Sequence, residues 1–155
     1  MKSIEQFIED YNNLSPEERS LAFSKYTMQS MSSFVKSAED FEEATYALGV
    51  LTCAAILADD RISDEELLIL YAGLKISLGT KADIEESKKL AAEILQDKND
   101  YKDSAKIVAE KYLSVWNDND KENVIMLCIA LCAIDGVVSP KEILWLKELI
   151  AAANN

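Results

Sequence analysis

The chain has 155 residues, of which 49% are hydrophobic, so it can bury the core of one domain but is too short for two of ordinary size. Its 28 acidic and 16 basic residues give a net charge of −12, which repels nucleic-acid phosphates and favours cations or basic proteins as ligands. Only four glycines and two prolines interrupt the chain, and this scarcity indicates an all-α domain.

Two serine capping boxes open the chain, and in each the serine and a residue three positions later satisfy free backbone groups of a helix start. The boxes pair Ser3 with Gln6 and Ser15 with Glu18. The second of these helices is predicted to end near Met28, because the serine-rich residues 29–37 favour a loose connection. Residues 1–36 are therefore interpreted as an N-terminal helical extension of a single helical domain, residues 1–155.

Residues 37–155 form the predicted core of this domain. A long helix is predicted from Ser37 to about Leu57, and its apolar second half should lie at the centre of the bundle. Five more helices are predicted, beginning near Ser63, Asp83 and Tyr101, within residues 117–123, and at Ser139, with a polar turn at residues 96–100. The helix that begins near Asp83 is expected to face the core with Ile84, Ala91 and Leu95. No stretch alternates like a strand, so the predicted fold class is all-α, a compact bundle of seven to eight helices.

The chain contains an internal repeat, in which residues 51–70 align with residues 127–146. The aligned pairs are Asp59 with Asp135, Ile62 with Val138, Ser63 with Ser139 and Glu66 with Glu142. Each copy reads as an apolar helix, a short corner that begins with aspartate, and a second apolar helix. The repeat therefore predicts two helical hairpins packed about a pseudo-twofold axis.

The serine and glutamate of each corner are explained by capping, because Ser63 with Glu66 forms one capping box and Ser139 with Glu142 forms the other. The aspartates are not explained in this way. Asp59 and Asp135 follow a helix C-terminus, where the helix dipole disfavours negative charge by about 0.3–1 kcal/mol. Two interpretations stay open: the aspartates accept hydrogen bonds from the next helix start across the turn, or they bind a cation.

The cation interpretation assigns five ligands, which are Asp59, Asp60, Glu66, Asp135 and Glu142. Oxygen ligands suit a hard divalent cation, so calcium or magnesium is expected rather than zinc, and the chain has no histidine. Asp60 stands where the second copy has Gly136. If the turn requires a positive φ at this position, aspartate tolerates it better than most residues.

The corners, written ADDRISDEE and IDGVVSPKE, follow alanine-rich apolar helices and resemble those of the tellurite-resistance TerB-like family over about residues 38–153. The pattern Asp-Gly-x-Val-Ser-x-x-Glu is whole only in the second copy, because Asp60 replaces the glycine in the first. The resemblance implies an all-helical, non-enzymatic, cytoplasmic module that binds divalent cations beside membrane-associated partners. It also implies a role in a stress response to tellurite or other metals, to envelope damage or to phage.

A competing interpretation is a structural adaptor whose acidic face docks a basic protein partner without metal. An enzyme is not expected, since no histidine is present and no nucleophile has a visible base, so no catalytic or cofactor-binding residues are assigned. Cys53, Cys128 and Cys132 lie in apolar runs and are interpreted as buried reduced thiols. Trp145 is expected in the core or, alternatively, at a partner-facing surface.

The N-terminal residues carry acids where a signal peptide has an apolar segment, so a cytoplasmic location is expected. No run is expected to reach the roughly 18 apolar residues of a membrane span, so no membrane insertion is expected. The composition leaves the oligomeric state open.

Overall fold

The computed structural model describes residues 1–69 and 84–154, and every regular element within these two ranges is helical. The helices are α1 (Ile4–Asn12), α2 (Pro16–Ser37), α3 (Phe41–Ile56), α4 (described over residues 64–69), α5 (Ile84–Gln96), α6 (Lys98–Lys111), α7 (Asp118–Cys132) and α8 (Pro140–Ala153). Two 3-10 turns, Leu57–Asp59 and Leu113–Val115, follow α3 and α6. The all-α class is therefore confirmed for the described part of the chain.

The core is centred on α3 and α7, the two apolar helices of the internal repeat. Every residue from 124 to 132 in α7 is buried, and residues 50, 51 and 54–58 are buried too, which agrees with the expectation that the second half of the first long apolar helix lies at the centre. Helix α2 packs along α7 and α3, α6 packs on α3 and α8, and α1 packs on α7 and α8. The buried rings of Phe7 and Phe34 bring α1 and α2 into the same hydrophobic core as the later helices.

One described helical stretch is long and apolar enough, by length and composition alone, to cross a membrane. It covers Phe41–Asp59, with 19 residues and a mean hydropathy of 1.4. The stretch is apolar on average without being a continuous apolar run, because Glu42, Glu43, Thr45 and Thr52 interrupt it. Half of its most apolar window is buried inside the fold, and the core helix of a bundle passes the same test. The expectation of no membrane insertion stays a prediction.

Helix α2 is longer than predicted, because it continues through the serine-rich residues to Ser37. Two serine hydroxyls donate back to carbonyls of their own helix, Ser33 Oγ to Gln29 O at 3.1 Å and Ser37 Oγ to Ser33 O at 2.9 Å. Ser37 is thus the last residue of α2 and does not cap the next helix. Asp40 takes that role and accepts the Glu43 N–H at 2.8 Å.

The predicted polar turn at residues 96–100 is shorter in the structure and consists of Asp97 alone, since α5 ends at Gln96 and α6 begins at Lys98. Ile94 is buried and Leu95 is exposed, so the inward orientation predicted for Leu95 is wrong by one residue, or about 100° around the helix. The predicted helix that begins at Ser63 is described only to residue 69. Its later part and the predicted start at Asp83 lie outside the described residues.

Two glycines make a matched pair for testing the backbone. Gly49 is an exposed position inside α3, and an added Cβ there has no neighbour within 4 Å. Gly136 has equally open space but a φ of +132°, which side-chain-bearing residues rarely adopt. We expect Gly49→Ala to raise the free energy of unfolding by about 0.5–1 kcal/mol and Gly136→Ala to lower it by about 1–3 kcal/mol. Urea denaturation measures both, and changes of the same sign would contradict the assignment of strain to the second corner.

Candidate cation site at the paired acidic corners

The two corners of the repeat use the same capping hydrogen bonds. In the first, Ser63 N–H donates to Glu66 Oε1 at 3.0 Å and Glu66 N–H donates to Ser63 Oγ at 3.2 Å. In the second, Ser139 and Glu142 make the same pair of bonds at 2.7 and 3.2 Å. The predicted capping boxes are confirmed at both corners, and each glutamate is turned back toward the preceding turn.

The two turns are closed by equivalent hydrogen bonds. Asp60 N–H donates to Leu57 O at 2.9 Å, and Gly136 N–H donates to Ala133 O at 3.0 Å. Asp60 has a φ of 65°, in the left-handed region, and is the one residue other than glycine with a positive φ in the described part of the chain. Both turns therefore have a positive φ at this position, and Asp60 adopts the left-handed value that aspartate tolerates, whereas Gly136 has a φ of 132°.

The repeated aspartates converge on a single guanidinium, that of Arg61. Arg61 Nε donates to Asp59 Oδ2 at 2.9 Å, and one terminal nitrogen donates to Asp135 Oδ2 at 3.3 Å. The Asp59 and Asp135 side chains are 8% and 15% exposed, whereas the Arg61 side chain is 71% exposed. Asp59 Oδ1 also accepts the Arg61 N–H at 3.3 Å, so this aspartate bonds within its own turn and not to the next helix start.

The capping glutamates are buried beside these aspartates. Glu66 is 2% exposed and Glu142 is 3% exposed. Burial raises the pKa of the Glu66 carboxyl to about 7, and the charges of Asp59 and Asp135 raise it as well, against the lowering effect of the cap bonds to Ser63. The same burial and the same two aspartates raise the pKa of Glu142. Four carboxyl groups from both corners therefore share one electrostatic environment.

One oxygen of this cluster lacks a partner. Glu66 Oε1 accepts the cap bond, but Oε2 is buried and has no hydrogen-bond partner within the described residues. A buried carboxylate oxygen without a donor costs free energy, so this position favours a bound cation or a proton. Cys132 lies at the inner side of the cluster, where burial and the Glu142 carboxyl raise its pKa well above the usual value.

Asp60 does not join the other four carboxyl groups. Its carboxylate faces three lysines, with Lys102 Nζ at 2.8 Å, Lys141 Nζ at 3.2 Å and Lys98 Nζ at 3.6 Å. The hydrogen bond from Lys102 contributes most to lowering the Asp60 pKa to about 2. Asp60 therefore links the first corner to α6 and to the start of α8, and it takes no part in the contacts that the other four predicted ligands make around Arg61 and the two serine caps.

The cluster is arranged around the Arg61 guanidinium. In residues 1–69 and 84–154, no three Asp, Glu or Cys side chains are grouped closely enough to hold a metal ion. Binding of a divalent cation would therefore require the Arg61 guanidinium to leave and the carboxylates to close on the ion. The donor set fits such an ion chemically, because carboxylate oxygens are the ligands that calcium and magnesium prefer.

Sequence reasoning missed Arg61, although a signal for it existed. The residue lies inside the first corner, ADDRIS, two positions after the unexplained aspartate, where the second copy has Val137. A basic residue within a run of acids is a natural counter-ion. The three lysines around Asp60 gave no comparable signal, because they lie 38 to 81 positions further along the chain.

The cysteines and Trp145 behave as core residues. Cys128 and Cys132 are buried free thiols, as predicted, and Cys53 is half-buried. Burial raises the pKa of Cys128 to about 12 and that of Cys53 to about 11, which keeps both in the unreactive thiol form. Trp145 is buried, so its core assignment is confirmed.

Comparison of the chain with protein-family models, with curated proteins and with solved structures returns no match. The resemblance of the two corners to the TerB-like family therefore stays a prediction.

Proposed function

We propose that this protein is a non-enzymatic, cytoplasmic binding module of the TerB-like type, which takes a divalent cation at its paired acidic corners as part of a stress response. The proposed ligands are the carboxylates of Asp59, Glu66, Asp135 and Glu142, and the proposed ions are calcium and magnesium. The two hairpins are proposed to be related by a pseudo-twofold axis. The observation that carries the proposal is the meeting of Asp59 and Asp135, from equivalent positions of the two copies, on one positive group.

Charge balance supports this proposal. The charges of Asp59 and Asp135 act on both capping glutamates, and Arg61 is the one cation paired with the two aspartates among the described residues. Oxygen Oε2 of Glu66 is buried without a donor. A divalent cation neutralises two negative charges and supplies a partner for that oxygen, so it relieves both unfavourable features at once.

A second candidate function rests on the same guanidinium. Because the aspartate pair accepts the Arg61 side chain, an arginine of a basic protein partner fits the same position once Arg61 leaves it. In this alternative the module is an adaptor whose acidic face docks a basic protein without metal. Such docking weakens as salt screens the charges, so capture of a partner at low salt and its loss at high salt support the adaptor.

Titration calorimetry tests the cation proposal directly. Calcium, magnesium, manganese and zinc are titrated separately into chelator-treated protein. We expect saturable heat for calcium or magnesium at concentrations up to about 1 mM, and we expect the double variant Asp59→Asn plus Asp135→Asn to lose it.

The matched control removes the same charge from elsewhere. The double variant Asp97→Asn plus Asp100→Asn also deletes two exposed acids near one another, but at the α5–α6 junction. This control should bind the cation as the wild type does. Absence of heat at millimolar metal, or equal loss of heat in both double variants, would refute a site at the corners.

A further inference from the structure

Arg61 holds its place in the cluster without being buried there. Its side chain is 71% exposed, while the two aspartates that it contacts are 8% and 15% exposed. The corresponding residue of the second corner is Val137, which is exposed and carries no charge. One corner therefore supplies the counter-ion for both, and its departure would open no cavity in the core.

We propose that Arg61 is a built-in competitor for the cation, so that divalent-ion binding is an exchange in which the guanidinium leaves the aspartate pair and enters solvent. This inference rests on the proposed function, because it concerns the affinity of the same site. It makes Arg61 the residue that sets the cation concentration at which the module responds. Glu66 Oε2, which is buried and has no hydrogen-bond partner within the described residues, is an independent observation that favours a further positive group beside the one that Arg61 supplies.

The geometry explains why the exchange is possible. The guanidinium makes one bond to each aspartate, at 2.9 and 3.3 Å, and neither aspartate is engaged through both of its oxygens by the guanidinium. The Arg61 backbone N–H stays on Asp59 Oδ1 after the side chain leaves, so the turn keeps its shape. Because the guanidinium is already exposed to water, its hydration changes little when it is released. The free-energy cost of release is therefore confined to the charge-assisted hydrogen bonds that are broken.

Removal of the competitor should tighten cation binding. We expect Arg61→Gln to bind calcium or magnesium about 10- to 100-fold more tightly than the wild type, the range set by the usual strength of hydrogen bonds to charged groups. Arg61→Lys keeps the charge but loses the planar fork of donors, so its affinity should fall between the two. A variant that merely damaged the fold would weaken binding, so the sign of the change identifies competition.

A charge-matched control distinguishes competition by Arg61 from the long-range electrostatic effect of removing any positive charge. Lys102→Gln also removes one positive charge, from the neighbouring cluster around Asp60, and should change the affinity by no more than about threefold at physiological salt. Nuclear magnetic resonance adds a readout on the wild type, in which the Arg61 Nε–H signal should move to its solvent-exposed position as calcium is added.

The outcomes are distinguishable. Tighter binding by Arg61→Gln alone, with a calcium-dependent shift of the arginine signal, supports the inference. Equal affinities of the wild type, Arg61→Gln and Lys102→Gln would overturn the competitor and leave the cation site standing. Absence of binding by the wild type and by Arg61→Gln would overturn the cation site and the competitor with it.

Discussion

Replacing Phe34 by alanine is expected to lower the free energy of unfolding by about 3 to 5 kcal/mol. The ring is fully buried and packs edge-on against Tyr112 and Trp116, with centroid distances of 5.5 and 4.8 Å. It joins α2 to the connection between α6 and α7. Truncation removes this burial and leaves a cavity, because the surrounding helices relax only in part. Urea denaturation followed by circular dichroism measures the loss.

The neighbouring residue supplies the control. Val35 lies on the same turn of α2 but is exposed, so Val35→Ala should change stability by no more than about 0.5 kcal/mol. A loss below about 1 kcal/mol for Phe34→Ala, or equal losses for both variants, would mean that the ring does not anchor this end of α2.

The role of Phe34 explains why the end of α2 was mispredicted from sequence. Serine clusters usually favour connections, since their hydroxyls compete for backbone groups. Here two of these hydroxyls bond within the helix, and the aromatic contacts of Phe34 hold the last turns against the connection between α6 and α7. Tertiary packing therefore overrides a local preference, and the partner rings lie 78 and 82 positions away in sequence.

The capping of the corners was predictable because it is local. Ser63 with Glu66 and Ser139 with Glu142 lie three residues apart, and that spacing alone determines the reciprocal bonds. The positive φ of Asp60 followed from the glycine at the same position of the second copy. Features whose cause lies within one turn of helix, or that the second copy of the repeat displays, were therefore accessible from the sequence.

The convergence of the corners was less accessible, because it depends on how α3 and α7 pack. The alignment placed Asp59 and Asp135 in equivalent positions, but equivalence does not fix a distance between them. Arg61 and the lysines around Asp60 are long-range partners, and their contacts span 74, 42 and 81 positions for Arg61 to Asp135, Lys102 to Asp60 and Lys141 to Asp60. The sequence alone could not divide the five acids into a cluster of four and a separate lysine-bound aspartate.

The stability of the metal-free protein is expected to fall with rising pH because of Glu66. Its pKa is about 7 in the folded protein and about 4.5 when unfolded, so between these values the folded state binds more protons. The contribution of the protonated carboxyl is complete below the unfolded pKa and is lost as the pH rises through the folded pKa. The groups that face Glu66 are the aspartates Asp59 and Asp135, the Arg61 guanidinium and the Cys132 thiol.

Glu66→Gln isolates this effect, because glutamine keeps the cap oxygen and cannot ionise. We expect the variant to gain stability relative to the wild type by about 2–3 kcal/mol between pH 5 and pH 8, measured by urea denaturation in chelator. Glu65→Gln removes an exposed neighbouring acid and should keep the wild-type profile. Parallel profiles for the wild type and Glu66→Gln would show that Glu66 ionises freely in the fold, and the buried, unpartnered oxygen would then have no energetic cost for a cation to relieve.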